Sequence, residues 1–240
     1  MQRKVEKVLN LVNMQDYTES KCRICNGEEM IPGTNQLCDC VYLRIQQQKI
    51  MSLFKSAQIP KRFTSKLLDN FDKERQPSAH KVATEYVSNW QENQAQGKGI
   101  FFTGPVGCGK THLAFAIVNE LVKRGVKSLA ATVPDLMDDL RPQTDGQLDK
   151  KIETLKTIDL LVLDDLGAQR NTEWVTERIF VVLNARYNNL LPTIITSNTY
   201  LEELEKVQGW GRMVDRLLEM CQLVRMKGSS YRLDSVKGDV

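Results

Sequence analysis

The sequence predicts an α/β fold, a parallel sheet flanked by helices, with a small cysteine-bearing module in front of it. One observation is the stretch Gly104-Pro105-Val106-Gly107-Cys108-Gly109-Lys110-Thr111, which fits the spacing G-x-x-x-x-G-K-[ST]. The apolar run Ile100-Phe101-Phe102 precedes it, and a helical pattern from His112 to Lys123 follows. Strand, glycine-rich turn and helix, in that order, are the setting in which this spacing marks a phosphate site. A second observation is Ile158-Asp159-Leu160-Leu161-Val162-Leu163-Asp164-Asp165, an apolar run ending in two carboxylates. A buried parallel strand of that kind delivers acid to the carboxyl edge of the sheet, where open α/β folds bind ligands. The module in front is marked by Cys22-x-x-Cys25 and Cys38-x-Cys40.

A length of 240 residues fits one large domain with a small appendage, here residues 1–57 ahead of a nucleotide domain over 58–240. Hydrophobic residues make up 41% and charged residues 26%, the balance of a chain with a real core and a watery surface. No apolar run approaches the ~18 residues of a membrane span. Met1-Gln2-Arg3-Lys4 has charge but no apolar segment behind it, so no secretory leader is read. The expected location is the cytoplasm, where six cysteines argue for free thiols or metal ligation over disulfides. A net charge of +3 permits a nucleic-acid partner without demanding one.

In chain order, Val5, Val8, Leu9 and Val12 share one face of a short helix over residues 3–12. That face docks on the body of the protein or on a partner, the former being commoner. Thiolates from Cys22, Cys25, Cys38 and Cys40 suit a tetrahedral Zn²⁺ around the loop from Asn26 to Leu37. So short a segment has too little apolar surface to fold alone, and metal would supply the missing energy. Redox-active thiols and an iron–sulfur cluster are the alternatives, and the C-x-C pair is tighter than usual zinc spacing. From Val41 to Arg62 no residue is acidic, while Arg44, Lys49, Lys55, Lys61 and Arg62 are basic. Through Lys55 this reads as a basic-surfaced helix, either a face for nucleic acid or a partner, or a solvated connector. Pro60 stops it, and Pro60 to Asp72 reads as a hinge.

His80 to Gln94 reads as a helix with Val82, Tyr86, Val87 and Trp90 as its apolar stripe, and Gly97 and Gly99 bracket the turn into the first strand. In the glycine-rich loop, successive N–H groups and the helix N-terminus supply positive potential to a wrapped anion. Residues 104–111 and His112 form the candidate nucleotide-binding set. Within it Lys110 reaches the β- and γ-phosphates and the Thr111 hydroxyl takes Mg²⁺. Val126 to Val133 reads as the second strand. A helix opens at Pro134-Asp135, Pro142 to Gly146 breaks it, and another helix leads to the acidic strand. There Asp164 is placed to hold Mg²⁺ and Asp165 to polarise the attacking water. A helix from Thr172 to Asn189 precedes the strand Pro192–Asn198, whose polar end puts Asn198 beside the second acid. Gly211 to Leu218 is helical, with Arg212 and Arg216 at i, i+4 on one face, and Gln222 to Met226 is a last strand. Late arginines often neutralise transition-state charge, although a helical arginine taken singly is more often a surface ion pair. Cys108 and Cys221 read as small filler residues.

Together GPVGCGKT, LLVLDDLG, TSN, RMVDRLLE and the closing GSSYR resemble AAA+ ATPases of the DnaC/DnaI helicase-loader type, a group that also holds the IstB transposition helpers. The link IPKRF…NFD is similar to prophage and Firmicute members. The resemblance implies a parallel five-stranded sheet with helices on both faces, and open spiral oligomers with ATP between subunits. It implies hydrolysis of ATP to ADP, with Arg216 as a trans arginine finger, Arg212 its helper, Asn198 the first sensor and Arg232 the second. It also implies that residues 1–57 dock on a hexameric DnaB-type replicative helicase and that the ATPase contacts single-stranded DNA.

Two other functions share these motifs. A transposition helper of the IstB kind acts on duplex DNA and generally lacks a cysteine module. A small-molecule kinase uses the same loop, but the Arg212/Arg216 pair and the polar strand end argue against it.

Overall fold

A computed structural model describes residues 22, 24–141, 147–169 and 172–231, and the chain divides into two compact units, Met1–Leu53 and Phe54–Val240. The helix expected over residues 3–12, the break at 142–146 and Arg232 lie outside the described residues.

In the first unit the two cysteine pairs frame a short hairpin. Met30 and Leu37 form an antiparallel bridge, and the Cys38 N–H donates to Glu29 O at 2.8 Å. After Cys25 the chain doubles back, with the Asn26 N–H donating to Cys22 O at 2.7 Å. Gly27 makes that reversal at φ +94°, a region glycine enters without steric cost. Helix α1 (Asp39–Ser56) starts inside the second cysteine pair, and Asp39 in its first turn complements the helix dipole. Arg44 of α1 pairs with Glu29 at 2.7 Å.

The second unit is built on a parallel sheet of β1 (Gly99–Thr103), β2 (Ser128–Thr132), β3 (Leu160–Leu166), β4 (Thr193–Ser197) and β5 (Cys221–Arg225). Among the described residues its order is β2-β3-β4-β1-β5, five strands as the resemblance implied. Strands β1 and β4 are buried throughout, because helices cover both faces of the sheet. Gly99 belongs to β1 and not to the turn before it. A Cβ there would come within 1.9 Å of Thr193 O in the neighbouring strand.

The expected helix from His80 to Gln94 is two helices, α2 (Pro77–Ser88) and α3 (Trp90–Ala95). They part at Asn89, whose φ of −100° and ψ of 27° leave the helical region. Asn93 Nδ2 donates to the freed Tyr86 carbonyl at 3.1 Å. Helix α4 (Lys110–Lys123) follows the glycine-rich loop and packs against α2 and the sheet. On the other face lie α5 (Val133–Asp139), α6 (Gln147–Thr157), α7 (Glu173–Asn188) and, after the single turn α8 (Leu201–Leu204), α9 (Gly211–Met220). Met137, Leu155, Ile179, Leu183, Met213 and Leu217 from these helices meet Phe101, Leu161, Leu163 and Ile195 of the sheet in one core. Thr132 and Thr172 start α5 and α7 by accepting the Asp135 and Val175 N–H groups.

The stretch from Pro60 to Asp72 is not a hinge. Its 3₁₀ turn (Lys61–Phe63) lays Phe63 flat on Phe115 of α4, with ring centroids 4.5 Å apart. Asn119 Nδ2 of α4 donates to Phe63 O at 2.9 Å and Lys66 O at 2.7 Å. Leu68 and Phe71 are buried. The apolar side chains within this polar link anchor it, and that content outweighs its proline.

Arg186 of α7 is fully buried at the opposite edge of the sheet. It donates to Thr193 Oγ1 (2.9 Å), Leu155 O (2.8 Å), Ile158 O (2.9 Å) and Pro192 O (2.7 Å). None of these partners is a carboxylate, and burial lowers its pKa to about 9. Removing the guanidinium strands those acceptors in a cavity. Arg186→Ala is therefore expected to cost about 3–5 kcal/mol in urea unfolding; a loss under about 1 kcal/mol would contradict its tying role.

Candidate functional site

The chain leaves β1 at Thr103 and turns through Gly104 to Gly109 before α4 begins. Gly109 stands at the N-cap with φ +103° and no side chain caps the helix, so its first amides are open to an anion. Lys110 is 4% exposed. Its Nζ donates to Gly104 O, Pro105 O and Asn198 Oδ1, each at 2.8 Å. Burial lowers the pKa of this ammonium, as expected of a cation taken from water. Cys108 is packed under the lysine, its Sγ 3.8 Å from Nζ, as a filler.

Strand β4 lies between β1 and β3, so the polar residue at its end stands between the lysine and the acids. Asn198 Nδ2 donates to Asp165 Oδ1 at 3.4 Å, which completes a row of Lys110, Asn198 and Asp165. In a regular strand the two aspartates would face opposite sides of the sheet. Here the register slips between Leu163 and Leu166, and Asp165 takes φ +58°. This bulge carries both acids to the same edge. Thr196 holds it: its Oγ1 accepts the Asp165 N–H at 2.9 Å and donates to Asp164 Oδ1 at 2.6 Å. The Thr111 side chain also favours the charged form of the Asp164 carboxyl. Asp164 is 3% exposed, and burial raises its pKa. Thr196 was not among the predicted site residues, and its place two residues before Asn198 was the only available signal.

A cavity of about 370 Å³ opens over the loop and is walled by Arg62, Phe71 and Asn70 of the link, with Tyr231 closing one side. His112 lines it, but its ring is already engaged. Nε2 donates to Leu67 O at 3.0 Å and Asn70 Oδ1 at 3.1 Å, and burial lowers its pKa. Its visible work is to hold the link against α4. Arg212 and Arg216 do not join the residues lining this cavity. Arg216 lies on α9 over the Phe180 and Tyr187 rings of α7, donating to Asn184 Oδ1 at 2.9 Å, and Arg212 also faces Phe180.

In the first unit the sulfur atoms of Cys22, Cys25, Cys38 and Cys40 all lie within 4.8 Å of one another. Cys22 and Cys38 are 3.7 Å apart, Cys25 and Cys40 3.5 Å. A tetrahedron with ~2.3 Å metal–sulfur bonds has sulfur edges of about that length, so the set fits zinc. The thiols are unequal. Backbone N–H groups of Cys25 and Ile24 lower the Cys22 pKa to about 6, whereas desolvation and then the Cys25 and Cys38 neighbours push Cys40 up to about 12. Four thiolates cannot share so small a space without a cation among them.

A glycine-rich loop after an inner strand, with acids two strands away and a polar side chain between them, is the arrangement of an AAA+ ATPase. Such an enzyme binds and hydrolyses ATP. More narrowly, the chain belongs to the IstB-like ATP binding protein family, which matches residues 36–237. It is 29% identical over 268 residues to the replicative helicase loader DnaI of Bacillus subtilis (strain 168), covering 96% of this chain and 85% of that one. It is 32% identical over 208 residues to a protein of insertion sequence IS5376 from Geobacillus stearothermophilus, covering 82% and 79%. The crystal structure of the DnaC helicase loader matches with a TM-score of 0.64 at 33% identity, over 70% of this chain and 100% of that one. Among the described residues no helix is long and apolar enough to cross a membrane.

A carboxylate as buried as Asp164 costs stability when ionised. Asp164→Asn keeps an oxygen for Thr196 and removes the charge. It is expected to raise the nucleotide-free Tm by about 2–4 °C, the equivalent of ~1 kcal/mol in a chain of this size. A lower Tm would show that the charge serves the fold.

Proposed function

We propose that the protein is an ATP-dependent helicase loader. ATP orders an oligomer through its nucleotide sites, the cysteine module holds a hexameric DnaB-type helicase, and the ATPase contacts single-stranded DNA in the cytoplasm. One observation carries this reading: similarity to the DnaI loader spans 96% of the chain, so far that the cysteine module falls within it.

In this reading Lys110 and the free backbone N–H groups of the loop 104–111, in which Pro105 has none, hold the β- and γ-phosphates. Thr111 and Asp164 would hold Mg²⁺, the hard oxygen donors that ion prefers. When bound, it would offset the negative charge of the phosphates. Asp165 polarises the attacking water and Asn198 orients it. Arg216 of one subunit neutralises charge at the site of the next, with Arg212 as helper. Their seat on α9, apart from their own phosphate cavity, supports this. Arg232 as second sensor rests on the resemblance alone. Zn²⁺ on Cys22, Cys25, Cys38 and Cys40 would supply folding energy to the docking module.

The IS5376 relative favours a second reading, a transposition helper on duplex DNA. A pull-down with the cognate replicative helicase separates the two. The intact protein is expected to carry one zinc ion per chain and to be retained, and Cys22→Ser with Cys38→Ser together to lose both. Absence of helicase binding by the intact protein, with ATP-dependent filaments on duplex DNA, would replace the loader by the helper.

For the chemistry, Lys110→Ala is expected to abolish ATP binding. Arg216→Ala should leave binding intact and lower assembly-stimulated turnover by a factor on the order of 10³. Equal hydrolysis by wild type and Arg216→Ala would remove the trans role.

A further inference from the structure

We propose that Arg75 is a positioning residue for the phosphate loop: it pins the segment Lys227–Tyr231, whose last amide fixes the Gly107 peptide. The inference rests on reading residues 104–111 as the triphosphate site. After β5 the chain leaves the sheet but stays on the loop. The Met226 N–H donates to Thr103 O at 2.7 Å, and the Tyr231 N–H to Gly107 O at 3.0 Å. Gly107, at φ +79°, is covered so closely that a Cβ would lie 2.0 Å from Ser230 Oγ.

A trans peptide is planar, so its carbonyl and its N–H point opposite ways. A Gly107 carbonyl held toward Tyr231 therefore turns the Cys108 N–H away from the closing segment. That amide belongs to the run of loop donors on which an anion rests. A glycine leaves the adjoining peptide easy to rotate, and anchoring it beforehand removes an ordering cost from binding.

Among the described residues no strand flanks the closing segment, and two side chains just after the link, Arg75 and Gln76, hold it instead. Arg75 Nη2 donates to Ser229 O at 3.2 Å and Ser229 Oγ at 2.8 Å, across 154 residues of sequence. The same guanidinium lies 4.0 Å above the Tyr231 ring. Gln76 donates to Lys227 O, and the Tyr231 hydroxyl to Asp72 O at 3.2 Å. The link is in turn fixed to α4 through His112 and Asn119. Loop, link and closing segment thus form a closed circuit in which Arg75 makes contacts of two kinds.

The test measures the Kd for ATP with magnesium, kcat at saturating ATP, and the nucleotide-free Tm. Arg75→Ala is expected to weaken ATP binding about tenfold while kcat stays within about twofold, a loss of uniform binding. Its Tm should stay within about 2 °C of wild type. Arg75→Lys keeps a charge over Tyr231 but not the fork, and should fall between. Tyr231→Pro, which deletes the amide itself, should weaken ATP at least as much as Arg75→Ala. Unchanged affinity in Arg75→Ala and Tyr231→Pro overturns the proposal, as does a loss of affinity matched by a falling Tm. Folded wild type that binds no ATP removes the phosphate-site reading itself. Wild type that binds normally beside an unaltered Arg75→Ala removes only the positioning role.

Discussion

Lys110 carries its charge into a nearly closed place and keeps it there by giving hydrogen bonds to Gly104 O, Pro105 O and Asn198 Oδ1. Two of those acceptors belong to its own loop, and the third ends a different strand. The curl of the loop and the end of β4 are therefore set by one side chain. Because β4 lies between β1 and β3, the same asparagine passes the constraint on to Asp165. An ammonium this desolvated favours an anion that restores its lost solvation, and the open amides at the start of α4 favour the same charge. The acids opposite would repel such a ligand unless a cation came with it, and the Asp164 carboxyl, whose charge Thr111 favours, faces that place.

The site draws its walls from distant parts of the chain. The link from Pro60 to Asp72 reaches α4 by stacking Phe63 on Phe115 and by the amide of Asn119. The closing segment reaches the loop through a backbone bond at Gly107. Neither belongs to the sheet, yet both border the cavity over the loop. A ligand there touches the beginning and the end of the ATPase unit at once, so its arrival can be felt at either.

Much of this was legible in the sequence. Apolar runs at 100–102 and 158–163 became β1 and β3, and the spacing of the loop gave both its turn and its helix. The four cysteines converge, as their composition suggested. What escaped was set by contacts between residues far apart. Nothing local in Asp164-Asp165 announces a bulge; the Thr196 hydroxyl from the next strand makes one. The link looked like a hinge because proline and lysine dominate its start, and the partner of its phenylalanine lies some fifty positions later in α4. His112 follows the motif directly and so reads as a ligand residue, whereas its ring is spent on Leu67 and Asn70.

Arg186 has a consequence in time as well as in space. Its backbone lies in α7, and its donors reach carbonyls at the end of α6, before β3 and before β4. None of these pieces can breathe alone without stranding a cation in oil. Their amide protons should therefore exchange with solvent as one slow block, on the schedule of global unfolding. The opposite rim, built from loops, can rearrange in many small openings while that block stays shut.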